Sequence, residues 1–415
     1  MDVPKQSVKV IKGGTLIDGT GAKPIENATI VIKDVVINAV CEEEIKIPAE
    51  AQVIDATGKT VMPGLIDAHV HLIMSGEPNP LIMLQYSPGF IAFKAAKNAQ
   101  MTLESGITTV RDLGDAWYFC LALKKAIEVG IMPGPRMMVS GKVISQTGGH
   151  GDFYLPSGIS LEWGSRIADG VDDVRKAARE QLREGVDVVK ICTSGGVLSP
   201  SDVAGARQFT VEEIRAAVDE AQAVGKRVAA HAHGTQGIKN AILAGVNTIE
   251  HGTLLDDEAI KMMAERGIFL VPTLSSGYNI MKYGGKAGIP EYAIKKEEEL
   301  VKLAKRGLRE AAEAGVKIAM GTDSGTPFNT HGANALELQL MVEAGFTEME
   351  AIVASTKTAA EALGLEKLVG TIEKGKLADI ILVEGNPLKE IKVLQDKRNI
   401  AMVVKNGEIV VRREV

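Results

Sequence analysis

Between residues 61 and 372 the chain alternates short β-branched runs with Ala/Glu/Lys-rich amphipathic stretches, and this alternation restricts the fold more than any other feature. Strand-like stretches fall at 61–70, 107–111, 136–140, 186–191, 227–231, 246–251, 267–271 and 316–322. Helix-like stretches, such as 171–185, 210–225, 256–266 and 291–314, separate them. Repeated βα units build a parallel sheet, and eight over such a span predict an α/β fold, a (β/α)8 TIM barrel. An open doubly wound sheet competes with it. Its nucleotide-binding versions lose support because no GxGxxG or Walker loop follows any strand.

The two ends read differently. Short strands are expected at Val8 to Lys12, Ala28 to Lys33, Val35 to Val40 and Val53 to Asp55, with Gly- and Asp-containing turns between them. The last 43 residues resemble the first: Ile380 to Val383, Met402 to Lys405 and Glu408 to Val411, the last two joined by a tight Asn406-Gly407 turn. Chain ends commonly lie close together. Residues 1–60 plus 373–415 are therefore expected to form one small β-sandwich domain, and 61–372 the barrel.

A barrel places its functional side chains at the C-terminal ends of its strands. His69 and His71 end the first strand and, two residues apart in extended chain, point the same way. Lys190, His231, His251 and Asp323 stand at the ends of four later strands. Each has an ordinary reading: a hydrogen-bonded His, an Asp capping the next segment, a Lys whose stem lines the core. Jointly those readings weaken, because the chain has only seven histidines and four stand on this one rim. Four His, one Asp and no thiolate suit one or two borderline divalent ions, zinc above all.

The run Val61-Met62-Pro63-Gly64-Leu65-Ile66-Asp67-Ala68-His69-Val70-His71 resembles the entry motif of the amidohydrolase superfamily, and the later Lys, His, His and Asp match its binuclear pattern in order. Gly370-Thr371-Ile372-Glu373-Lys374-Gly375-Lys376-Leu377-Ala378-Asp379 is similar to the segment where such chains leave the barrel. The resemblance implies that His69, His71 and Asp323 bind the more buried ion and that His231 and His251 bind the outer one. Lys190, carboxylated by CO2, would bridge the two. It also implies amide hydrolysis by a metal-bridging hydroxide, with Asp323 as base and then acid. A bridging Lys190 favours hydrolysis over deamination.

Thr147 to Asp152, Thr193-Ser194-Gly195-Gly196-Val197 and His231-Ala232-His233-Gly234 resemble the prolidase-like branch, which acts on dipeptides and C-terminal amide bonds. There His150 would meet the substrate carbonyl or developing oxyanion, and His233 shares the mouth. Arg207 and Tyr278 are either partners for a substrate carboxylate or ordinary loop-surface residues. His331 stays outside the catalytic set. Asp112 is expected to organise its loop, and Cys192 to pack.

The expected function is cleavage of a peptide or similar amide bond next to a C-terminal amino acid. One rival keeps the site but changes the substrate, to a cyclic imidazolone-type amide or an N-acyl aromatic amino acid of the ochratoxin kind. Another is a non-catalytic metal-stabilised scaffold. Net charge of -6 without a basic stripe, and 4% aromatic residues, argue against a nucleic-acid partner. Three separated cysteines fit a reducing compartment. No apolar run suggests a signal or a membrane span. A cytoplasmic enzyme with a small-molecule or dipeptide substrate is expected, homo-oligomeric as relatives of that branch are.

Overall fold

A computed structural model describes residues 7–42, 46–47, 49–152, 154–155, 159–160, 164–200, 202–284 and 288–413. The apolar run that opens the motif is two strands rather than one. Lys59–Pro63 lies in one sheet and Leu65–Val70 in another. Gly64 is the break: its N–H donates to the Asp379 carbonyl at 2.9 Å, and a Cβ there would lie 2.1 Å from Thr108 Oγ1. Only glycine lets the backbone pass so close to the neighbouring strand.

Lys59–Pro63 pairs antiparallel with Ile380–Glu384 from the far end of the chain, and parallel with Val8–Leu16 at Thr15 and Leu16. Ile25–Lys33, Val36–Cys41, Gln52–Asp55, Ile400–Lys405 and Glu408–Arg412 complete an eight-stranded sheet. The two layers of the expected sandwich are thus one hydrogen-bonded sheet, branched because Val8–Leu16 pairs with three neighbours. Ile11, Ile30, Ile54, Val61, Ile380, Leu382 and Val404 give it a core of its own from both chain ends. At the hairpin tip Asn406 and Gly407 both have positive φ, 49° and 74°, the backbone an I′ turn requires.

The remaining strands are mainly parallel. Leu65–Val70, Ile107–Asp112 and Arg136–Val139 form one sheet. Val143–Ser145 and Ser165–Ile167 join Val188–Cys192, Arg227–Ala232, Thr248–His251 and Phe269–Val271 in another. Val188–Cys192 is buried at every position, as a strand covered on both faces must be. Backbone bonds join the sheet edges. Asp187 N donates to Val139 O at 2.8 Å, Ala319 N to Leu270 O at 2.9 Å, and Ala68 N to Met320 O at 2.9 Å. The stretch expected as an eighth strand, 316–322, makes only a bridge at Ile318. Its ladder is interrupted because Met320 N turns instead to Ala354 O, at a helix C-terminus.

Helices follow the strands at the expected places. Gly170–Glu184 buries Val174, Ala177, Ala178 and Gln181, one stripe at helical spacing. Val211–Ala223 starts on a capping box between Thr210 and Glu213, and Asp257–Arg266 ends at Gly267 in the left-handed conformation. The result is a TIM-barrel-type parallel α/β body beside a sheet domain. Among the described residues no helix is long and apolar enough to cross a membrane.

Candidate metal centre and active-site cavity

The ends of the parallel strands open into a cavity of about 550 Å3. His69, His71, His150, Lys190, His231, His233, His251 and Asp323 all line it. Arg207 does not: its side chain is exposed and its backbone bridges to Ser194. Tyr278 does line the cavity, from the helix Leu274–Tyr283.

Asp67 anchors the first strand. Fully buried, it accepts from Thr322 N at 3.0 Å, Thr322 Oγ1 at 2.6 Å, Asn334 Nδ2 at 2.7 Å and its own strand's His69 N at 3.1 Å. These bonds hold the 322–324 segment against the His69–His71 pair. Burial pushes the Asp67 carboxyl up to about 6, with the four donors opposing the rise. His69 Nε2 and His71 Nε2 then converge on Asp323 Oδ1, at 3.5 and 3.1 Å. Burial alone would raise the Asp323 carboxyl, but the His71 hydrogen bond and the charges of His69, His71 and Lys190 hold it at about 2.

His231, His233 and His251 form a second group. In each triple the ligand-type atoms lie within 4.8 Å of one another. His251 has φ of 71° and Asp323 of 57°, and Thr273, which accepts or donates at 2.7 Å to His251 Nδ1, has 53°. Left-handed backbone at non-glycine residues is costly and collects at functional sites. His69, His233 and His251 are each oriented through Nδ1. His69 Nδ1 meets Glu250 Oε2 at 3.0 Å, and His233 Nδ1 meets Thr253 Oγ1 at 2.8 Å. Such outer partners set the tautomer of metal-binding histidines.

Among the described residues four buried side-chain atoms have no partner, and two of them are nitrogens of the expected ligand set, Lys190 Nζ and His231 Nε2. An ammonium without an acceptor in such a place is costly, and burial lowers the Lys190 pKa from its usual value. Burial also keeps three of the imidazoles neutral and therefore able to coordinate: His69 is lowered to about 4, and His231 and His251 go well below the usual value, whereas at His71 the hydrogen bond and charge of Asp323 outweigh burial and raise it. Cys192 contributes no thiolate, since burial pushes its thiol up to about 12. Imidazoles, one carboxylate and two orphaned nitrogens fit a metal site.

His150 stacks on His231 with ring centroids 4.2 Å apart. Its Nδ1 lies 2.9 Å from Ser199 Oγ, and Ser199 donates to Asp202, which Lys296 Nζ meets at 2.8 Å. With the Ser199 hydroxyl directed to Asp202, the ring carries its proton on Nδ1 and presents Nε2 as an acceptor. Contact with a carbonyl or oxyanion therefore requires the imidazolium, which Asp202 favours while burial, the larger effect, lowers the pKa to about 4.

Sequence reasoning missed Arg111, Glu250, Ser199, Asp202 and Lys296. Arg111 and Glu250 carried a signal, as opposite charges inside apolar strands; they pair at 2.8 Å. Asp202 and Lys296 meet across 94 residues, and no local pattern announces that. His331 lies behind His71, with Nε2 3.2 Å from the His71 carbonyl. Asp112 accepts from Leu72 N at 2.8 Å, organising its loop as expected.

Fold and cavity together define a TIM-barrel-type parallel α/β protein whose histidine-rich cavity fits a metal site. The chain belongs to the Amidohydrolase family, whose model matches residues 60–410, and it is a hydrolytic enzyme acting on C–N bonds. Ochratoxinase of Aspergillus niger is 37% identical over 97% of this chain and 86% of its own length. A Xaa-Pro dipeptidase with methionine bound in its active site superposes with a TM-score of 0.90 at 37% identity, covering 97% of this chain and 99% of that one. A prolidase complexed with N-methylphosphonate-L-proline gives 0.91 at 36% identity, covering 98% and 100%.

Proposed function

We propose that the protein is a binuclear metal-dependent amidohydrolase that cleaves an amide bond next to a C-terminal amino acid, as a dipeptidase or carboxypeptidase does. The observation that carries this reading is Lys190 Nζ, buried without a partner in a cavity walled by His69, His71, His231, His251 and Asp323. His69, His71 and Asp323 would hold one ion, and His231 and His251 the other. Lys190, as its carbamate, would supply an anionic oxygen to both. Zinc suits this donor set best. The edge-to-edge backbone bonds support a closed (β/α)8 barrel over 61–372, with 1–60 and 373–415 as the accessory domain.

Bound divalent ions would polarise the scissile carbonyl and make water ionisable near neutral pH. Asp323, held as a carboxylate, takes a proton from that water and returns it to the leaving nitrogen. His150 Nε2 accepts a hydrogen bond from the substrate, or donates one once protonated. His233 and Tyr278 line the substrate's path.

The similarity to ochratoxinase supports a second substrate class, N-acyl aromatic amino acids. A panel of Xaa-Pro and other dipeptides beside N-acyl phenylalanines, with metal analysis of the same preparation, tests both. About two ions per chain with cleavage of the dipeptides is the expected result. Cleavage of the N-acyl amino acids alone would move the assignment to the second class, and no cleavage of either would overturn the reading. A cytoplasmic homo-oligomer remains the proposed setting, for which light scattering gives the oligomeric state.

A further inference from the structure

The helix Glu291–Glu313 turns a stripe at helical spacing, including Ala293, Leu300, Leu308 and Ala311, toward the protein interior. Glu297 stands in that stripe, where a charge is out of place. It is only 7% exposed and lines the active-site cavity. Its carboxyl is pressed against the bare backbone of Gly277 on the facing helix, where a Cβ would lie 2.2 Å from Glu297 Oε1. Val197, Ile280, Ile289, Ala293 and Leu300 pack as an apolar cluster on this side.

Among the described residues no hydrogen bond or ion pair reaches the Glu297 carboxyl. Burial pushes it up to about 7, the Asp323 charge adds to the rise, and no cation counters them. The other carboxyls on the cavity wall each have a protein partner: Asp323 is bound to His71, and Asp115 accepts from Cys120 N through Oδ2, although its Oδ1 has none. The carboxyl of Glu297 lines the cavity, so its partner can come from whatever fills that cavity. A donor entering from the cavity can be that partner. A cationic one gains most, because charge-assisted hydrogen bonds are the strong ones and the site is shielded from water. A positively charged substrate in a cavity that also holds divalent ions needs an anion not already committed to them. Glu297 is such an anion.

We propose that Glu297 is a specificity-determining residue whose carboxylate pairs with an ammonium or guanidinium group carried by the substrate. This rests on the amide-hydrolase reading and narrows its substrates to those with a free amine or a basic side chain.

The test compares matched pairs on the metal-loaded enzyme and on Glu297→Gln. Alanyl-lysine against alanyl-norleucine reads a C-terminal side chain, lysyl-alanine against norleucyl-alanine an N-terminal one, and alanyl-methionine against its N-acetyl form the free amine. In at least one pair the wild type should favour the cation by about 30-fold or more in kcat/KM, the scale of a buried charge pair. In Glu297→Gln that ratio should fall toward one. No preference in any pair, or a preference that survives the substitution, would overturn the proposal. If no dipeptide is cleaved, the amide-hydrolase reading fails separately. Calorimetric binding of the same intact dipeptides to the wild type then still decides whether the cation is recognised.

Discussion

Nδ1 of His69 lies 3.0 Å from Oε2 of Glu250, with both side chains out of contact with solvent. The other Glu250 oxygen meets Arg111, whose Nε is donated to the Ala68 carbonyl at 2.7 Å. The imidazole is therefore aimed by a buried ion pair that also grips its own strand. Burial would raise the Glu250 carboxyl, yet Arg111 and His69 hold it at about 2, so it is ionised at any working pH.

Glu250→Gln should therefore damage two properties at once. Leaving Arg111 buried without its counter-charge should cost about 3–5 kcal/mol, read by urea unfolding of the metal-free protein. Metal affinity should fall about 10- to 100-fold as His69 loses its orienting acceptor, read by competition with a chelating dye. Unchanged affinity would show that Glu250 supports only the fold.

Asp323→Asn keeps the size of the side chain and removes its basicity. Turnover should fall by at least about 100-fold, while circular dichroism stays close to wild type. Turnover that survives the substitution would remove Asp323 from the proton-transfer role.

Dialysis against a chelator should abolish hydrolysis and lower the melting temperature, since ions that bind only the folded chain stabilise it. Zinc should restore both. Full activity in protein shown to be metal-free would sink the metal-centre assignment.

Glu337 offers a pH test away from the proposed ligands. It accepts from Leu274 N at 2.8 Å and Ser275 N at 2.7 Å, yet burial pushes its carboxyl from the usual 4.5 up to about 8. A raised carboxyl stabilises fully below 4.5, and that contribution is lost as pH rises through about 8. Across that window the wild type should lose about 1.4 kcal/mol per pH unit through this group. Glu337→Gln lacks that loss. Its stability deficit should shrink or reverse between pH 5 and pH 9 in paired thermal melts, and a constant deficit would refute the shifted ionisation.

The strand-and-helix alternation and the strand-end histidines were legible because they are local. A buried strand needs a continuous apolar run, a helix needs its stripe, and two-residue spacing alone sets His69 and His71 on one face. The break at Gly64 has no local mark, because the apolar run Val61 to Ile66 continues through it and predicts a single strand over 61–70. Only the Thr108 side chain, 44 residues on, shows why the chain must change sheets there. Arg207 looked equivalent to Tyr278 as a loop residue, but loop paths depend on what they pack against, and Arg207 faces away from the cavity.

By itself, then, the sequence determined the parallel α/β class, the pairing of both chain ends in one sheet, and which residue types gather at the strand ends. Periodicity and strand polarity act over a few residues and leave their mark in the order of amino acids. Tertiary structure alone decided the partners: Glu250 and Arg111 behind His69, Ser199, Asp202 and Lys296 behind His150, and, among the described residues, none for Glu297. Those relations depend on burial and on atoms a few ångströms apart that are tens to hundreds of residues apart along the chain. Desolvation, which moves the charges of these groups most, exists only once the chain has folded.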